Sequence, residues 1–125
     1  MKREIIKLPD AELAVMQAVW SCGERAERAR IAEKLRAERP MAETTLLTLL
    51  TRLHDKKFIR IEKEGRRSVY FPLVGRHEYI SAQSRRFVDK ICGGSISAFA
   101  SALCDSALTR EELDELRALL ERGGL

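Results

Sequence analysis

Apolar residues along this chain recur first at helical spacing, then in alternation, then at helical spacing again, and these periods set the predicted elements. Leu13, Met16, Val19 and Trp20 follow Leu8-Pro9-Asp10-Ala11-Glu12, which puts a proline in a first-turn position and two acids near the positive end of a helix dipole. A helix over about 9–20 is expected, broken by Cys22-Gly23-Glu24. Residues 28–38 carry Ile31, Ala32 and Leu35 on one side and Arg30, Glu33, Lys34 and Arg36 on the other, and Pro40 stops this second, shorter helix. In the third segment Leu46, Leu49, Leu50 and Leu53 fall within an arc of about 100°. Thr44, Thr48, Thr51 and Asp55 occupy the opposite side, flanked by Thr45 and Arg52. Glu, Lys and Ala would suit a solvent face better, so this density of hydroxyls fits contact with another surface.

The period then changes to alternation. Phe58, Ile59 and Ile61 precede a charged turn, Glu62-Lys63-Glu64-Gly65-Arg66-Arg67, and Val69, Tyr70 and Phe71 follow up to Pro72. This predicts a two-stranded hairpin with Gly65 at or near its tip. Three helices and a basic hairpin, in that order, make a winged helix-turn-helix over residues 1–75. The fold class expected is mostly α with a small β-hairpin wing.

Residues 76–125 return to helical spacing. A polar helix over about 77–91 has Ile80, Phe87, Val88 and Ile91 as its apolar positions and ends at Gly93-Gly94. A short helix over about 95–104 offers Ile96, Phe99, Ala100 and Leu103. The last helix opens with a capping box, Thr109-Arg110-Glu111-Glu112, and runs through Leu113, Leu116, Leu119 and Leu120 to Gly123-Gly124. Three short helices cannot enclose a core of their own, so a homodimer is expected, with Phe87, Ile91, Ile96, Phe99, Leu103, Leu113, Leu116 and Leu120 as the dimerisation residues.

Charge and cysteine usage narrow the chemistry. The net charge of +4 is unevenly spread: residues 1–75 hold 16 Lys and Arg against 11 Asp and Glu, the remainder 7 against 8. Excess positive charge in the winged-helix part suits a polyanion. Cys22, Cys92 and Cys104 lie far apart and, with only His54 and His77, make neither a zinc-ligand spacing nor a disulfide framework, so no metal or other cofactor is expected. The longest uncharged stretch, Ile91 to Cys104, contains two glycines and three serines and is no membrane span, which leads to a cytoplasmic expectation. No phosphate loop, HExxH or GxSxG occurs and neither Cys22 nor Cys104 has a placed base, so there are no catalytic residues and no enzyme is expected. His54, beside the core position Leu53, reads as a surface or structural histidine. Trp20, Phe58, Tyr70 and Phe71 read as core packing.

A helix entering the major groove needs short donors and acceptors at its leading end and along one face, and threonine supplies a hydroxyl plus a methyl for thymine. Glu43, Thr44, Thr45 and Thr48 fit that need, Arg52 is placed for a phosphate or a guanine, and Arg66 and Arg67 can reach the backbone or the minor groove. These seven are the candidate DNA-binding residues. The alternative is a winged-helix protein-interaction module whose basic hairpin docks an acidic partner without specific DNA binding.

Leu8 to Trp20, the run Thr45-Leu46-Leu47-Thr48-Leu49-Leu50-Thr51-Arg52-Leu53, and Arg66 to Tyr70 with Pro72 resemble the penicillinase-repressor family of winged-helix regulators, the BlaI, MecI and CopY type. Gly93-Gly94 with its short apolar helix, and Glu111-Glu112-Leu113-Asp114-Glu115-Leu116, resemble that family's dimerisation region, so the likeness spans nearly the whole chain. The resemblance implies a dimeric transcriptional repressor on a dyad operator, often one governing antibiotic resistance. It also implies a membrane sensor protease system that triggers cleavage in the dimerisation region, typically at Asn-Phe. Ala102-Leu103 stands at that place here and is the candidate proteolytic site, with Leu103 favoured as dimer core. Copper-responsive members carry clustered Cys-x-Cys ligands, whereas this tail has only Cys92 and Cys104. Leu47 occupies a position where some relatives place a basic residue, which implies a different target sequence or affinity.

Overall fold

The structure, a computed structural model, describes residues 4–122. Helix α1 (Asp10–Ser21) begins after Pro9, which is its N-cap and not a first-turn residue; Asp10 and Glu12 lie in the first turn as expected. Its buried stripe is Glu12, Val15, Met16 and Val19, with Leu13 and Trp20 half-buried at the edges. The stripe is therefore rotated from the expected one, and it includes an acid. Glu12 is 3% exposed, and its carboxylate accepts a hydrogen bond from Lys56 Nζ, which closes the far end of the third helix onto the first.

Helix α2 (Arg28–Glu38) buries Ile31 and Leu35 and stops at Arg39, whose backbone (φ −148°, ψ 77°) leaves the α region that a residue preceding proline avoids. Helix α3 (Glu43–Asp55) buries all four leucines of the expected stripe, Leu46, Leu49, Leu50 and Leu53. Burial of four leucines contributes about 6–12 kcal/mol, from about 1.5–3 each. Four threonines cost the helix about 2 kcal/mol relative to alanine. Packing wins by a clear margin, so the helix carries its poor helix formers where they face solvent.

The exit from α3 is a Schellman motif. Lys57 takes a left-handed backbone (φ 66°) as the residue after the C-cap, the Phe58 N–H donates to Leu53 O at 2.9 Å, and the Lys57 N–H donates to His54 O at 3.0 Å. Phe58 and Leu53, both buried, supply the hydrophobic contact that accompanies this motif.

A small antiparallel sheet follows. Strand β1 (Ala26–Glu27) precedes α2, and β2 (Ile59–Glu64) and β3 (Arg67–Pro72) form the hairpin, in spatial order β1-β3-β2. Ile61 faces Tyr70 and Glu64 faces Arg67, leaving Gly65 and Arg66 as a two-residue turn. Gly65 has φ 66°, the positive value that the first position of a II′ turn requires. The expected two-stranded wing thus gains a third strand, because Ala26 and Glu27 pair with Tyr70 and Val69. The expected aromatic core is also redistributed. Tyr79 packs edge-on to Phe58 and tilted against Trp20, with both ring centroids 5.8 Å away, and its hydroxyl accepts the Leu8 N–H at 2.9 Å. The Trp20 indole N–H donates to Val74 O at 2.9 Å. Phe71 is half-buried, with Arg60 stacked 4.4 Å from its ring centroid.

The chain divides into two compact units between Ala82 and Gln83, inside α4 (Arg76–Lys90). In the second unit α4 ends at Lys90 and the chain turns through Gly93 and Gly94, both at positive φ, with the Gly94 N–H donating to Val88 O at 2.8 Å. Helix α5 (Ile96–Ala102) is capped by Ser95 and runs into a π-helical turn, Leu103–Ala107. Helix α6 (Arg110–Glu121) opens with the expected capping box between Thr109 and Glu112; its expected terminator Gly123-Gly124 lies outside the described residues. Val88 alone among the described residues of this unit is buried. Replacing Lys56 with Met strands the buried Glu12 carboxylate, and the expected cost is about 2–4 kcal/mol, read as a fall in the urea midpoint at unchanged m. A loss below about 0.5 kcal/mol would mean that solvent already screens the pair.

Candidate nucleic-acid interface

Because the leucine stripe turns inward, the opposite side of α3 is left to solvent. Thr44, Thr45, Thr48, Thr51 and Arg52 are all exposed, and Thr44, Thr45, Thr48 and Arg52 line one shallow depression of about 260 Å³ with Leu49 at its floor. Two of the hydroxyl protons are already committed: Thr48 Oγ1 donates to Thr44 O at 3.0 Å and Thr51 Oγ1 donates to Leu47 O at 2.9 Å. Such back-bonding leaves each oxygen free to accept and fixes where the methyl sits.

A second, larger cleft of about 630 Å³ opens where the starts of α2 and α3 meet the wing. Its lining includes five cations, Arg28, Arg36, Lys63, Arg66 and Arg67, against two carboxylates, Glu27 and Glu43. Both acids are engaged. Glu43 meets Arg28 at 3.0 Å, and Glu27 meets Arg67 at 3.2 Å. Arg36, Lys63 and Arg66 make no ion pair among the described residues. At the tip Glu64 takes both terminal nitrogens of Arg25, tying the wing to the segment before β1, and the Arg25 guanidinium holds the Glu64 carboxyl below the usual carboxylate range. The site therefore combines a rigid scaffold, a hydroxyl-and-methyl face, and a cationic cleft able to take a phosphate backbone.

The seven expected residues fall into two groups. Thr44, Thr45, Thr48 and Arg52 share the α3 depression, while Glu43, Arg66 and Arg67 line the cleft. Sequence reading missed Arg28, Arg36 and Lys63. The signal for the first two was present, since Arg28, Ala32 and Arg36 follow one another at helical spacing, and Ala32 and Arg36, expected on opposite sides of α2, line the same cleft. Elsewhere the chemistry is sparse. Burial pushes the Cys22 thiol up, away from reactivity, and among the described residues no group of three or more His, Cys, Asp or Glu is placed to hold a metal ion.

The model of the penicillinase repressor family matches residues 8–122. This chain belongs to that family. It is 29% identical over 120 residues to the penicillinase repressor of Bacillus licheniformis, covering 95% of this chain and 93% of that one. It is 27% identical over 123 residues to the methicillin resistance regulatory protein MecI of Mammaliicoccus sciuri, covering 98% and 99%. Among solved structures it is similar to the monomeric form of Bacillus licheniformis BlaI in complex with the blaP half-operator, with a TM-score of 0.51 and 30% identity over 63% of this chain and 94% of that one. Penicillinase repressors are transcriptional regulators built on a winged helix and not enzymes, and the expected fold class and family membership are borne out.

The Glu27–Arg67 pair generates a prediction. An exposed ion pair is worth about 0.2–1 kcal/mol, so Glu27→Gln, which frees Arg67, is expected to tighten binding to random-sequence duplex by up to about fivefold at low salt. Fluorescence anisotropy measures this, and weaker binding by the variant would contradict the competition between Glu27 and phosphate for Arg67.

Proposed function

We propose that this protein is a dimeric, sequence-specific transcriptional repressor in which residues 1–75 bind double-stranded operator DNA and residues 76–125 hold two copies together. The observation that carries the reading is the solvent-facing threonine side of α3 next to the cationic cleft at the wing, in a member of a repressor family. Helix α3 enters the major groove. Thr44, Thr45 and Thr48 contact base edges, Glu43 at the leading turn accepts from a base amino group, and Arg52 reaches a guanine or a phosphate. Arg66 and Arg67 hold the backbone from the wing. Two subunits reach successive major-groove faces about 34 Å apart, so the operator is a near-palindrome with half-sites about one turn apart.

Dimerisation is supported by exposed apolar residues that one copy leaves uncovered. Ile91 is 70% exposed, Ile96 58% and Leu120 53%, Phe87 is exposed, and Phe99, Leu103, Leu113 and Leu116 are only half-buried. Phe87 and Phe99 already pack edge to face at 5.8 Å, presenting one continuous apolar edge to a second copy. The relatives' names point to resistance genes as the regulated ones, and Ala102-Leu103, standing where the family's Asn-Phe bond is expected, is the candidate cleavage site should a sensor protease act on this chain. That bond lies where α5 passes into the π-helical turn, and a protease must unwind this junction to reach it. No helix among the described residues is long and apolar enough to cross a membrane, which fits a cytoplasmic protein.

A mobility-shift assay with DNA upstream of the protein's own operon, at two salt concentrations, is the test. The parent retards one fragment specifically, Thr48→Ala narrows the gap between operator and random duplex by about 1 kcal/mol or more, and Arg67→Ala weakens all duplexes similarly and flattens the salt dependence. Binding that follows charge alone, with no preferred fragment, would refute the repressor reading and leave the interaction module. For the dimer, Ile91→Asp is expected to shift sedimentation from two chains to one; a parent that sediments as a monomer at micromolar concentration would contradict it.

A further inference from the structure

Leu47 is the one leucine of α3 that the core does not take. It is 37% exposed, while its neighbours Leu46, Leu49, Leu50 and Leu53 are at most 5% exposed. At about 100° per residue it sits beside Thr51 and Thr44 on one flank of the outer face, with Thr45 and Arg52 on the other. The back-bonds sharpen this asymmetry. The hydroxyl protons of Thr48 and Thr51 are spent on Thr44 O and Leu47 O, so these two residues offer outward only methyl groups and accepting lone pairs. Leu47 and the back-bonded Thr51 therefore form an apolar edge of the reading face without donors, while the uncommitted Thr44 hydroxyl and the Arg52 flank keep them.

In the major groove guanine presents two acceptors, which Leu47 and the back-bonded Thr51 have no donor to satisfy. An adenine–thymine pair presents an amino donor and the thymine C5-methyl, which match an accepting hydroxyl and a branched aliphatic side chain. We infer that Leu47, with the methyl of Thr51, is a specificity-determining residue that packs on a thymine methyl, so that each half-site carries an A·T pair under this edge. The inference rests on the DNA-binding reading above and specifies which bases that surface takes.

The test begins with a duplex that the parent selects from a random-sequence pool. Each half-site thymine is then replaced singly by deoxyuridine, which removes the methyl and keeps every hydrogen-bonding group. Burying one methyl is worth about a fourfold change in affinity, so one thymine per half-site is expected to show a loss of about fourfold on replacement. Leu47→Ala retains helix propensity at an exposed position and is expected to bind the parent duplex more weakly while losing its sensitivity to that one replacement. If the parent selects no sequence, the DNA-binding reading falls and this inference with it. If it selects one but tolerates every deoxyuridine, or if Leu47→Ala keeps the full sensitivity, the thymine contact alone is overturned.

Discussion

Everything functional in this protein depends on how the leucine stripe of α3 packs against the core. Four leucines recurring at helical spacing leave the helix a single stable orientation, because turning it exposes apolar surface at a cost that no hydroxyl contact with water returns. That orientation decides which residues meet solvent. The threonines are exposed because the leucines are buried, and the same packing carries Glu43 to the cleft beside the wing. The buried Glu12 carboxylate with its partner Lys56, and the Schellman turn at Lys57, hold the far end of the helix, so that end is anchored and the outer face is presented on a fixed helix.

Electrostatics then sets how the face is used. The cleft is cationic, but its two acids are paired with two of its arginines, which leaves Arg36, Lys63 and Arg66 as the standing attraction for a polyanion. Exposed pairs of this kind are weak, so a phosphate can displace a carboxylate without a large penalty. Indiscriminate binding is thereby restrained while the arginines remain accessible. The Arg25–Glu64 pair has a different consequence, since it braces the wing against the segment before β1.

Features carried by local periodicity were legible in the sequence. The stripe of α3, the hairpin around Gly65, the Gly93-Gly94 terminator and the Thr109 capping box all follow from spacings within one turn or one hairpin. What escaped depends on distant partners. Strand β1 is two residues long and exists only because Tyr70 and Val69 offer an open edge more than forty positions away, so no alternation could reveal it. Glu12 reads as a helix-dipole acid until Lys56 is brought to it, Tyr79 looks like a polar-helix residue until Leu8 and Trp20 close around it, and a left-handed Lys57 has no signal where glycine would have given one. At the candidate interface the threonines and wing arginines were visible as residue types out of place on a solvent face. The spacing of Arg28 and Arg36 along α2 was also legible, but not its use, because arginine on a helix surface is ordinary until a wing is folded opposite it.

The most direct test of the central claim is a backbone amide titration of isotopically labelled protein with the duplex that it selects from a random pool. The account predicts that the largest chemical-shift changes fall on Thr44 to Arg52 and on Gly65 to Arg67, while the amides of Leu46, Leu49, Leu50 and Leu53 remain slow to exchange. Shifts confined to residues 83–121, or an α3 whose leucine amides exchange freely, would contradict it.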